Sequence, residues 1–155
     1  MDELQDLYRQ VILDHNRNPR NFGELADATR VVAGVNPLCG DKMTLYVKLG
    51  GGKIEDIRFQ GTGCAISVAS SSLMTERVKG LPVGVALELF DKVHDLLTGP
   101  RDHEPAADLE KLAALGGVRE LAEIAGIAVV IQDHFPIQLL QLIHEKSPQP
   151  SLGRR

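Results

Sequence analysis

Gly61-Thr62-Gly63-Cys64-Ala65-Ile66-Ser67 joins a hydrophobic, strand-like run to a run of small residues with no strand alternation, and it places a cysteine at the joint. The two glycines before the cysteine admit torsions closed to other residues, so successive N–H groups can turn toward one point. A helix that begins at Ala65 would add its positive end there, which favours an anionic sulfur, the form that binds metal or carries sulfur. The same pattern also fits a glycine turn followed by a small inert cysteine, so the second cysteine has to decide.

Working outward toward the N-terminus, Met43, Leu45, Val47 and Leu49 alternate with period two, Gly50-Gly51-Gly52 signals a hairpin turn, and Lys53 to Gln60 reads as the return strand. Ile57 and Phe59 share a face of that strand, whereas Ile54 is out of step and predicts a bulge or a late strand start. A turn at 50–52 makes the strands about equal in length, so Cys39 and Cys64 are expected at one end of the sheet. Cys39 lies in Asn36-Pro37-Leu38-Cys39-Gly40-Asp41. Cys-Gly-Asp can present sulfur and oxygen to one ion, with the glycine letting the chain fold back, and thiolate plus carboxylate suits zinc or iron. Asp41 read alone also fits an Asx turn that bonds its own backbone.

Asn36-Pro37-x-Cys39-Gly40-Asp41 followed by Phe59-x-Gly61-x-Gly63-Cys64-Ala65-Ile66-Ser67 resembles the NifU/IscU/SufU iron–sulfur assembly family. Leu7-Tyr8-Arg9 and Asn18-Pro19-Arg20-Asn21-Phe22-Gly23 add to the likeness, and the segment around 99–117 is similar to the SufU type. The resemblance covers about residues 4–120. It implies an α+β fold, a small antiparallel sheet packed against several helices. It also implies a role in iron–sulfur cluster assembly, as a scaffold or as a zinc-dependent acceptor of persulfide sulfur from a SufS-like cysteine desulfurase, alongside other SUF assembly proteins. Cys39, Asp41 and Cys64 would be ligands to zinc or iron, and at times to an iron–sulfur cluster, with Cys39 and Cys64 as possible sulfur acceptors.

The resemblance further implies a third ligand cysteine near the C-terminus, and this chain has only two cysteines. Counting from Gly117-Val118 puts Ile127 at that place, and anchoring on Pro136 puts Gln132 there. Isoleucine offers no lone pair and an amide is a weak ligand. Asp133 and His134 are the nearest ligand-capable residues, and a shift of reading frame after about residue 121 is a further explanation. Two other readings stay open: a module that docks on a desulfurase or assembly factor without sulfur transfer, and a Cys39/Cys64 redox pair.

With 155 residues the chain is read as one domain, 1–146, followed by a tail, 147–155. The 17 basic and 21 acidic residues, a net charge of −4, and 4% aromatics argue against a nucleic-acid binder or an anionic-membrane binder. No apolar run reaches the roughly 18–20 residues of a membrane span, and nothing resembles a signal or transit peptide, so a cytoplasmic location and reduced thiols are expected. Leu4, Leu7, Tyr8, Val11 and Ile12 predict the apolar stripe of a helix over 3–16, with His15 a solvated or capping histidine. Residues 20–28 read as an irregular connection and 29–35 as a short β-branched run. The serines after Cys64 are read first as small residues for close packing, and second as hydrogen-bond donors near the site. Gly80-Leu81-Pro82 breaks that helix, and Val85, Leu87, Leu89, Phe90, Val93, Leu96 and Leu97 predict another, with His94 a partly buried structural residue. Asp102, His103 and Glu104 form a metal-capable group on paper, in a loop read as solvated.

Overall fold

The computed structural model describes residues 3–35 and 40–98. In chain order these form α1 (Glu3–Arg17), β1 (Arg30–Val35), β2 (Lys42–Gly50), β3 (Lys53–Thr62), α2 (Ala65–Val78) and α3 (Val83–Thr98). The sheet is antiparallel in the order β1-β2-β3. The segment around 99–117, the positions 127 and 132, the group at 102–104 and the tail at 147–155 lie outside the described residues.

The β2–β3 hairpin turns at Gly51-Gly52, whose φ angles are +56° and +75°, between the paired residues Gly50 and Lys53. Two successive left-handed residues make the tight turn whose twist matches the strands, and glycine adopts it without strain. A register shift follows: Lys48 faces Asp56 and Leu49 faces Ile54, so Glu55 is the extra residue of a bulge. The bulge restores Ile54 to the inner face, where it is buried with Ile57 and Phe59 against Leu45 and Val47. Full burial of side chains this size stabilises by about 1.5–3 kcal/mol each.

The turn end of the hairpin is tied to the α2–α3 connection through backbone. Ile54 N–H donates to Leu81 C=O at 2.9 Å, Gly80 N–H to Ile54 C=O at 2.7 Å and Val83 N–H to Gly52 C=O at 3.0 Å. The outer edge of β3 is covered at Phe59 by the connection at 21–23. Phe59 N–H donates to Asn21 C=O at 3.0 Å, Gly23 N–H donates to Phe59 C=O at 2.8 Å, and the Phe22 ring meets Phe59 edge-on with centroids 5.3 Å apart. A paired edge offers no free ladder there to another chain.

Both outer helices bury a stripe rotated from the predicted one. On α3 the buried residues are Ala86, Leu89, Phe90 and Val93, a run at i, i+3, i+4 and i+7, while Val85 is 47% exposed. On α1, Leu7 is 53% exposed, and Ile12 and His15 are buried with Tyr8 and Val11 beside them. The expectation of a solvated His15 is therefore corrected: the ring is 1% exposed, lies 2.7 Å from Ser72 Oγ through Nδ1, and has Nε2 3.7 Å from Glu76. It completes the 8, 11, 12, 15 stripe on which α1 meets α2. His94 is partly buried, as expected, and stands 3.7 Å from Asp95 on its own helix.

Candidate metal and sulfur site

The end of the hairpin opposite its turn gathers the residues that carry the chemistry. Lys42 pairs with Thr62, so the chain just before β2 and the chain just after β3 arrive side by side. Gly40, with φ +73°, turns the chain into Asp41, as the foldback expected at this glycine requires. On the other strand Gly63 and Cys64 lead directly into α2.

Cys64 is the N-cap of α2. Its backbone is extended, with φ −66° and ψ 165°, and its sulfur accepts from Ser67 N–H at 3.4 Å. A helix leaves its first N–H groups without intrahelical partners, and a cap side chain supplies one. The sulfur is thus held at the start of the helix and remains exposed to solvent.

Asp41, by contrast, is only 7% exposed. Ser67 Oγ donates a short hydrogen bond to its Oδ2, and the same Ser67 oxygen lies 3.4 Å from Cys64 Sγ. Carboxylate, hydroxyl and sulfur therefore form one contiguous group contributed by the β2 approach and the first turn of α2. Among the described residues no Lys, Arg or His forms an ion pair with Asp41. A buried carboxylate with only a neutral partner is costly, and a cation at the site would offset that cost. This is the observation by which a metal fits here: one hard oxygen donor with no counter-charge among the described residues, beside one soft sulfur donor, a set suited to zinc or iron.

The two glycines do something other than the torsion-based role expected of them. Neither Gly61 nor Gly63 has positive φ. A Cβ on Gly61 would run into the Lys42 carbonyl and Met43, and one on Gly63 would lie 3.0 Å from Asp41 Cγ and 3.1 Å from Ser67 Cβ. They are required for close approach, and Gly63 leaves the room in which Asp41 and Ser67 meet.

Of the predicted site residues, Asp41 and Cys64 are brought together, while Cys39, Asp133 and His134 lie outside the described residues. Among the described residues no group of three or more His, Cys, Asp or Glu is placed to hold a metal ion. Ser67 is not among the predicted ligands, and its hydroxyl takes the second of the two roles open to the serines, a hydrogen bond at the site; its position three after a candidate N-cap is a readable signal. No helix among the described residues is long and apolar enough to cross a membrane.

The NifU-like N-terminal domain family model matches residues 7–126, so the chain belongs to that family. The match ends before both 127 and 132, the positions at which the resemblance implies a third cysteine. The chain is 45% identical over 115 residues to the zinc-dependent sulfurtransferase SufU of Bacillus subtilis (strain 168), covering 74% of this chain and 77% of that protein. The crystal structure of a nitrogen-fixing NifU-like protein (N-terminal) from Brucella abortus superposes with a TM-score of 0.76 at 25% identity, covering 94% of this chain and 100% of that one. A protein described as an iron–sulfur cluster assembly scaffold for the SUF system, from Fervidobacterium islandicum AW-1, superposes with a TM-score of 0.71 at 28% identity, covering 86% and 93%. The α+β fold, a small antiparallel sheet with helices packed on it, is the one these relatives share.

Proposed function

We propose that this chain works in iron–sulfur cluster assembly, taking sulfur from a SufS-like cysteine desulfurase and holding zinc or iron, with a cluster as transient cargo. The observation that carries the reading is the hairpin register, which sets buried Asp41 and exposed Cys64 on either side of one serine hydroxyl. Asp41 and Cys64, with Cys39 from the adjoining segment, would hold the metal, which supplies a positive centre that organises the sulfur donors. The chain's own part is to keep the carboxylate out of water, to cap the sulfur and to leave it open to a partner.

Sulfur transfer at Cys64 needs no outside oxidant. Its thiolate attacks the outer sulfur of the desulfurase persulfide, a sulfur–sulfur bond forms on Cys64, the bond in the donor breaks, and the desulfurase cysteine leaves as thiolate. Cys39 is the other acceptor for the same step. Work beside other SUF proteins and a cytoplasmic location go with this reading.

Protein purified under reducing conditions is assayed for metal, then incubated with a SufS-like desulfurase and cysteine and mapped by mass spectrometry. Stoichiometric zinc or iron, faster desulfurase turnover and one extra sulfur on Cys39 or Cys64 are expected. Desulfurase binding with no stimulation and no sulfur transfer would leave a docking module in its place. Metal-free protein with a reversible Cys39–Cys64 disulfide would leave a redox pair.

A further inference from the structure

We propose that Ser67 is the positioning residue of this site, setting the Asp41 carboxylate and the Cys64 sulfur relative to one another through two different groups. Its hydroxyl donates to Asp41 Oδ2, and its backbone N–H donates to Cys64 Sγ at 3.4 Å. This rests on the metal reading above and extends it to a residue that ligates nothing.

The chemistry of the hydroxyl limits what it can do. A serine has one proton to donate and two lone pairs, and here the proton goes to the carboxylate. The oxygen that remains faces Cys64 Sγ at 3.4 Å. Holding one carboxylate oxygen fixes the rotation of the group and leaves the second oxygen for a cation, and outer hydrogen bonds of this sort govern metal affinity by about 10–100-fold.

Two neighbouring features support the arrangement. The Ser71 hydroxyl donates to Ser67 C=O at 3.0 Å, bracing the first turn of α2 from behind. Gly63 contributes empty space, since a Cβ there would press on both Asp41 and Ser67. The pair is thus built into the backbone on either side, and its geometry can be disturbed without removing a single donor atom.

The test uses the full chain, zinc(II) with a competing chelator for affinity, and cobalt(II) absorption for the ligand set. Ser67→Ala is expected to keep its helix content, to melt below wild type because the buried Asp41 loses its hydrogen-bond donor, to bind zinc about 10–100-fold more weakly, and to alter the cobalt spectrum. Ser67→Thr, which keeps the hydroxyl, is expected to bind as the wild type does. Gly63→Ala is expected to weaken binding in the same direction, and it stands as the deciding variant if a Ser67 substitution fails to fold. Folded Ser67→Ala and Gly63→Ala proteins with wild-type affinity and spectrum would overturn the positioning role while leaving the proposed function intact. A folded Ser67→Thr as weak as Ser67→Ala would also overturn it, because volume and not the hydroxyl would then matter. Wild-type protein that takes up neither metal would remove the function proposed above, and the role of Ser67 with it.

Discussion

The two ends of the β2–β3 hairpin are both glycine-rich, yet their glycines answer to different physics. At the turn end Gly51 and Gly52 have left-handed backbone and nothing within 4 Å of an added Cβ, so at those two positions what matters is torsion, whereas an added Cβ on Gly50 would meet only the movable Glu55 side chain. At the far end Gly61 and Gly63 have ordinary torsions and crowded surroundings, so what matters is space. The turn end is fastened by backbone hydrogen bonds to the α2–α3 connection, and the far end presents an exposed sulfur beside a buried carboxylate. One end of the same ladder is built to stay closed, and the other to receive something.

The sharpest break of this contrast is Cys64→Ser. Serine is a preferred helix cap, so stability measured by urea unfolding should stay within about 1 kcal/mol of wild type. Sulfur capture at this position, read by mass spectrometry, should be lost altogether. A large loss of stability would mean that the sulfur serves packing and not chemistry.

Gly61→Ala comes next, because its methyl meets the Lys42 carbonyl and Met43 Cα, backbone atoms that cannot swing away as the Met43 side chain can. Such overpacking should cost about 3 kcal/mol in urea unfolding. Gly51→Ala should cost about 1–2 kcal/mol by the same measurement, the strain of a left-handed alanine. Gly51→Asn should recover most of that, since asparagine followed by glycine suits this turn. An asparagine that rescued position 61 as well would erase the distinction between the two ends.

The smallest effect is expected beside the closed end, where Lys79 Nζ lies 2.7 Å from Asp56 Oδ1. Burial pushes the Asp56 carboxyl up, but the Lys79 hydrogen bond, aided by the Ile57 N–H and the charges of Lys79 and Arg58, holds it below its ordinary value on balance. A carboxyl so lowered adds stability above its unfolded pKa of 3.8 and loses it as the pH falls through the folded value. Lys79→Met should therefore cost under about 1 kcal/mol at neutral pH, with the gap from wild type closing below about pH 4 in acid unfolding curves.

Much of this was legible from the residues because alternation and turn chemistry are local. Met43 to Leu49, the glycine triplet and the misfit at Ile54 gave the hairpin, its turn and its bulge, and the register brought Asp41 to Cys64. What was misread depends on neighbours distant in sequence. Whether a glycine serves torsion or space is decided by the strand across from it, and nothing near Gly61 in the sequence names Lys42 as that neighbour. The phase of an amphipathic helix shifts when a polar residue finds a buried partner, as His15 does with Ser72, or when alanine fills a tight spot, as Ala86 does. The sequence favours packing over hydrogen bonding for the serines of α2 because a hydroxyl's partner, such as Asp41 for Ser67, comes from another element.

The His15–Ser72 bond has a consequence for how α1 is seated. Two greasy helix faces can slide past each other by a turn and still find hydrocarbon to touch, but a ring nitrogen facing one hydroxyl at 2.7 Å has a single matching station along the track. The same hydroxyl also accepts the Arg20 N–H at 2.8 Å, so it latches both the helix and the chain that leaves it. The N-terminal helix is thereby indexed to α2 like a key to one notch, with slippage ruled out by a directional contact and not by hydrophobic area.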